Sequence, residues 1–198
     1  MASSPKRAKD QRAHLVLIDE IGMMMAPLVR RSLAPAGQTP VLKQKASHRD
    51  RVSLAAALSI SPVRQRLGLR FRTFEREYIN NERAADFLRA LLHDLRGRVM
   101  VVWDRGNMHR GDPIRELLAR YPRLELHWLP PYAPELNPVE HLWNHLKYAR
   151  FPNYAPPDTK VLNRRVRRRL HFIRRKTEQL KSFLKASKLN FDSLTEPQ

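Results

Sequence analysis

The hydrophobic period of this chain changes at Asn80 and Asn81, and that change decides which folds are open to it. Before it lie three strand-like runs: residues 15–19 (LVLID), with the fold beginning near His14, then residues 51–60 and 69–78. Pro62 and Gly68 separate the last two, which suits an antiparallel hairpin. After it, Ala84, Leu88, Leu91, Leu92 and Leu95 follow helical spacing behind the capping candidates Asn80 and Asn81. Residues 99–104 (VMVVWD) then form a buried strand, and Asp112-Pro113 opens a helix with Ile114, Leu117, Leu118 and Tyr121 inward. Residues 124–129 give another strand, and Pro138 opens a third helix carrying Val139, Leu142, Trp143 and Leu146. The order β-β-β-α-β-α-β-α describes an α/β domain built on a mixed five-stranded sheet flanked by helices.

The flanks read differently. Residues 1–13 are polar and charged and predict a disordered lead-in. Between the first two strands, Pro27, Pro35, Gly37 and Pro40 predict a loop, with a short strand near residues 41–45. Met23, Met24 and Met25 fill a hydrophobic gap beside the first strand. The folded domain is expected over residues 14–150, followed by a proline-rich linker at 151–159 with Pro152, Pro156 and Pro157. Residues 160–191 hold 12 Lys or Arg and one acid, Glu178, while Leu162, Val166, Leu170, Ile173, Leu180 and Leu184 recur at helical steps. The segment 160–198 is therefore a basic helical extension of one amphipathic helix or two.

A formal charge of +19 over 198 residues suits a polyanion as partner, and nucleic acid comes first. The chain has no cysteine, which excludes disulfide frameworks, thiolate zinc sites and cysteine nucleophiles. Apolar runs are far too short to span a bilayer and the N-terminus lacks a signal-peptide core, so no membrane partner is expected and the protein is placed inside the cell.

Chemistry falls to carboxylates, histidines or hydroxyls. The stretch WLPPYAPELNPVEHLW at residues 128–143 crowds prolines ahead of Asn137, which caps a helix with Pro138 at its first position and Glu140 in its first turn. Asp19 and Asp104 each end a strand, and neighbouring strands can bring both to one sheet edge, where a packed helix adds Glu140. Three convergent carboxylates suit hard divalent cations.

These residues resemble the mariner-like branch of the DDE transposases, which includes many bacterial insertion-sequence enzymes. The likeness runs over about residues 14–150 and rests on LIDE around Asp19, GQTP at residues 37–40, VVWDRGNMH around Asp104, and LPPYAPELNPVEHLW with the following Lys147. It implies a ribonuclease-H-like core, the arrangement that the element order describes, and a catalytic, metal-binding triad of Asp19, Asp104 and Glu140, with 35 residues between the last two. It further implies two Mg²⁺ or Mn²⁺ ions, nicking at transposon ends, and attack of the released 3′-hydroxyl on target DNA. A homodimer follows from paired-end cutting. Complete members carry a helix-turn-helix region ahead of the core, and only about thirteen residues precede it here, so end recognition is expected from an upstream helix-turn-helix domain or protein. The implied location is the bacterial cytoplasm, at the nucleoid.

Other residues carry competing readings. Glu20, beside Asp19, and Glu135, in the proline loop, are expected to be solvated surface rather than metal ligands. Glu140 itself could instead complete a capping box with Asn137. His109, Asn137 and Lys147 are candidates for supporting the site or holding a phosphate. His141 and His145 stand four apart, a zinc-like spacing, but Leu142 occupies the place of the glutamate that a metalloprotease helix needs, so they are expected to be solvated or to face DNA. Trp128 and Trp143 suit core packing better than base stacking. Arg164, Arg165, Arg168, Arg174 and Arg175 are the expected phosphate contacts. Set against the transposase are a catalytically silent DNA-binding remnant and a ribonuclease-H-like nuclease that does not transpose.

Overall fold

A computed structural model describes residues 4–43, 50–63, 65–106, 109–189 and 191. Its five strands are β1 (His14–Met24), β2 (Arg51–Ile60), β3 (Leu67–Glu75), β4 (Val99–Trp103) and β5 (Leu124–Trp128), in the spatial order β3-β2-β1-β4-β5. The first three pair antiparallel; β4 lies parallel to β1, and β5 parallel to β4. Each parallel strand is reached through a helix, the connection that parallel pairing demands. The mixed sheet flanked by helices is the expected fold.

Helices α2 (Asn81–Asp94) and α3 (Asp112–Arg120) cover one face, against Val16, Ile18, Ala55, Ala57, Val101 and Trp103. Helices α1 (Ser4–Asp10), α4 (Pro138–Asn144), α5 (Thr159–Arg174) and α6 (Thr177–Ala186) cover the other, against Leu15, Leu17, Leu54, Leu58, Met100 and Val102. With both faces buried, β2 reads as a nearly unbroken apolar run rather than an alternation.

Three expectations about the flanks are corrected. The lead-in is not disordered from residue 4 on: α1 buries Ala8 and ties back through the Ala13 amide to the Ala8 carbonyl. A helix of seven residues with little apolar content has no period to read, and its stability comes from that packing. The basic extension is helical as expected, but its two helices pack on the sheet instead of trailing from it: Leu162, Val166, Leu170 and Ile173 of α5 and Leu180, Phe183 and Leu184 of α6 join the sheet's own core. Nor is 151–159 a free linker, since Phe151 and Thr159 are buried and the Thr159 hydroxyl donates to Glu75. Of the expected strand at 41–45, residues 41–43 are irregular and the rest lies outside the described residues.

Candidate metal centre

Alternation along β1 sends Leu17 and Asp19 to the face covered by α4, and Ile18 and Glu20 to the face covered by α2 and α3. In the parallel ladder Leu17 stands opposite Val102, so two residues further on Asp19 comes level with Asp104, just past the end of β4. Asp19 is 7% exposed, and its Oδ2 accepts the indole N–H of Trp143 at 2.8 Å. Asn137 fastens the start of α4 beside it: Oδ1 accepts from the Val139 amide at 3.1 Å, and Nδ2 donates to the Ile18 carbonyl at 2.9 Å. That places Glu140, in the first turn, next to Asp19. The Asn137 amide is bonded to the Pro134 carbonyl, so Glu140 is not spent on a capping box.

Asp104 sits in a different environment. Its carboxylate is about half exposed, and its Oδ1 meets the Gly106 amide at 2.9 Å and His109 Nδ1 at 2.7 Å. His109 is 1% exposed, stacked on Trp103 with ring centroids 3.8 Å apart, and its Nε2 faces Glu20 Oε2 at 3.0 Å. The expectation that Glu20 is solvated surface is therefore corrected: it does point away from Asp19, but into a second buried layer. Glu135 is exposed, its carbonyl accepting from the Lys188 amide.

The charges explain what the site can hold. Burial, then the neighbouring carboxylates of Glu140 and Glu20, push the Asp19 carboxyl well above its ordinary range, against the Trp143 bond that lowers it. His109 holds Asp104 below the usual carboxylate range. Burial opposes charge on His109, but its bonds to Asp104 and Glu20 carry it up to about 9. A buried Asp19 carboxylate whose charged form is disfavoured beside Glu140 and Glu20 suits a hard divalent cation as its counter-charge. Among the described residues, no three His, Asp or Glu side chains are gathered closely enough to share one ion. The carboxylates are neighbours along an edge rather than one closed cage.

The other candidates are dispersed. His145 Nε2 is engaged by Arg150 and Gln179, which removes it from any zinc pair with His141. Lys147 lies in a π-helical continuation of α4, His145–Arg150, and lines a cavity of about 310 Å³ with Met23, Met24, Leu28 and Tyr148. Trp143 is in the core as expected; its bond to Asp19 was not foreseen, although a buried indole N–H always needs an acceptor and Trp143 stands one turn from Glu140. Trp128 is partly buried, with Arg110 over its ring. Arg164, Arg165 and Arg168 gather with Arg150 and Arg169 around a groove of about 670 Å³, where Arg165 lies 4.0 Å over the Tyr154 ring. Arg174 instead faces a second groove with Arg70, Arg72, Arg83 and Arg167, and Arg175 caps the end of α5. Neither groove includes the three acids, and no helix among the described residues is long and apolar enough to cross a membrane.

Residues 14–163 match the model of the DDE superfamily endonuclease family. The chain belongs to that family. The matched span covers every element from β1 to the first turn of α5 and contains Asp19, Asp104 and Glu140. Solved structures agree on the fold of this DDE endonuclease domain. The Mos1 mariner paired-end complex with Mn aligns with a TM-score of 0.64 at 15% identity, over 98% of this chain and 60% of that one. The Mos1 transposase paired-end complex with left transposon end gives 0.62 at 16% identity, over 96% and 57%. The catalytic domain of Mos1 mariner transposase gives 0.54 at 14%, over 98% and 89%. The chain thus spans about three-fifths of the Mos1 transposase chains in those complexes, and has the ribonuclease-H-like α/β fold of the catalytic domain. No curated protein matches it.

Proposed function

We propose that this DDE endonuclease domain is the catalytic part of a transposase that cuts DNA at element ends and joins the freed 3′-hydroxyl to target DNA. The observation that supports this reading is that Asp19 stands level with Asp104 across β1 and β4, beside the first turn of a helix that is fastened to β1 and carries Glu140. Asp19, Asp104 and Glu140 would hold two Mg²⁺ or Mn²⁺ ions, a pairing consistent with acids spread along an edge. Bound there, the ions would activate the attacking oxygen and neutralise charge on the leaving one.

In the first step water attacks the phosphodiester at the element end, the bond to the element's 3′-oxygen breaks, and a 3′-hydroxyl is released. In the second that hydroxyl attacks a target phosphodiester, forming a new ester while the target's own 3′-oxygen leaves. Asp19 works from a buried, Trp143-bound position and Asp104 from an exposed one, so the substrate approaches from the Asp104 side. His109 and Asn137 support the acids, and Lys147, on the continuation of the Glu140 helix, serves phosphate.

The DNA backbone runs along the groove of Arg164, Arg165 and Arg168. Among the described residues, no carboxylate pairs with any of them. Arg174 and Arg175 would meet a separate stretch. A dimer would bring two ends together, with a helix-turn-helix unit recognising them, in a bacterial nucleoid setting.

The test is cleavage and joining of labelled DNA carrying the element's ends, with Mg²⁺ or Mn²⁺, in the chain and its Asp104→Asn variant. Both products, lost on substitution by about a thousandfold, are expected. Cutting without joining indicates a nuclease, and DNA binding without cutting by either protein a silent remnant.

A further inference from the structure

Glu20 is buried for a reason that packing does not supply. Its side chain is only 10% exposed, and Oε1 is buried without a partner among the described residues. An apolar residue beside Ile18 and Trp103 would fill the same space without desolvating a charge. What the carboxylate does instead is accept twice on Oε2, from Trp103 Nε1 at 3.3 Å and from His109 Nε2 at 3.0 Å.

The imidazole of His109 is thereby held in two ways. Stacking on Trp103 fixes its plane, and Glu20 fixes its rotation within that plane. Its other nitrogen then points at Asp104 Oδ1, 2.7 Å away. Both ring nitrogens thus face carboxylate oxygens, one of Glu20 and one of Asp104. Asp104 lies beyond the end of β4 and is about half exposed, with little packing of its own. The orientation of its carboxylate comes from His109 and the Gly106 amide, which both use Oδ1. A Cβ at position 106 would stand 3.1 Å from that same oxygen, which suits glycine there.

We infer that Glu20 is a positioning residue for the metal centre: through His109 it fixes the Asp104 carboxylate with Oδ1 occupied and Oδ2 left to bind. Glu20 touches neither ion nor DNA. The inference rests on the reading of Asp104 as a metal ligand.

The test measures free Mn²⁺ by electron paramagnetic resonance in titrations of the wild-type chain, Glu20→Gln, Glu20→Met, His109→Gln and Asp104→Asn, each first checked for folding by circular dichroism. Glu20→Met fills the space without an acceptor and should weaken Mn²⁺ binding on the order of 10–100-fold, the usual effect of removing a partner behind a ligand. Glu20→Gln keeps an oxygen acceptor and should lose no more than about threefold, below that range. Glu20→Met combined with His109→Gln should be no worse than the weaker single variant, since both cut one chain of contacts. In metal-free protein, the Trp103 indole N–H resonance should shift in Glu20→Met and return in Glu20→Gln. Wild-type affinity in Glu20→Met, additive losses in the double variant, or a Glu20→Gln as weak as Glu20→Met would each overturn the inference, the last by making Glu20 a ligand itself. If Asp104→Asn binds Mn²⁺ as the wild type does, the underlying reading of Asp104 fails instead.

Discussion

The indole N–H of Trp143 reaches Asp19 Oδ2 at 2.8 Å, so the helix turn that presents Glu140 also holds the first acid of the site. Trp143→Phe keeps the buried ring and removes the donor. The stranded carboxylate oxygen should cost about 1–3 kcal/mol in urea unfolding. It should also move the acid limb of the cleavage profile to higher pH, because the Trp143 bond is what opposes the upward push on Asp19. An unmoved limb would deny Trp143 this role.

Asp19 works against the metal-free fold. Burial, Glu140 and Glu20 raise its pKa, so at neutral pH its ionisation opposes folding. Asp19→Asn should therefore be more stable than the wild type without metal. The ranking should reverse with Mn²⁺ at a hundred times its Kd, which stabilises the wild type by about 2.7 kcal/mol. Thermal melts with and without Mn²⁺ check both halves.

His109 gives a pH dependence of the opposite sign. Its folded pKa of about 9 lies above the unfolded value of 6.5, so its stabilisation is full below pH 6.5 and is lost as pH rises through about 9. In urea unfolding, the gap between the wild type and His109→Gln should be widest near pH 6 and nearly closed by pH 10. A constant gap would mean that the ring acts by packing alone.

Asn137 joins α4 to β1 through two bonds, one a helix cap and one to the Ile18 carbonyl. Asn137→Ala should cost about 2–3 kcal/mol, and Asn137→Ser, which keeps the cap, about half of that. Equal losses would show that only one bond matters.

The arginine groove predicts a salt signature. Replacing Arg165 and Arg168 by alanine should weaken duplex binding at all sequences alike. The slope of log K against log salt should fall by about one for each phosphate contact removed. Arg175→Ala should change it least.

The acids were legible because each sits where sequence leaves a mark: Asp19 and Asp104 close apolar runs, and Asn137-Pro138 fixes where the Glu140 helix starts. The second layer was not. Alternation gave the direction of Glu20 correctly, but whether that side faced water depended on α2 and α3 folding over it, a non-local fact. The same holds for α5 and α6, whose apolar period was plain while their place on the sheet, rather than beyond it, depended on Phe151 and Thr159 turning inward. The π-helical turn after α4 left no local signal at all.

The ten-residue ladder from Leu15 opposite Ile60 to Met24 opposite Arg51 works as a vernier. A single-residue insertion or deletion in β1 ahead of Asp19 would trade its place with Glu20, turning Asp19 toward the His109 layer and Glu20 toward the α4 face. A two-residue change would preserve the sides and only shift the level against Asp104. Families built on this strand should accordingly tolerate length variation in the irregular segment 26–43 and almost none between residues 14 and 20.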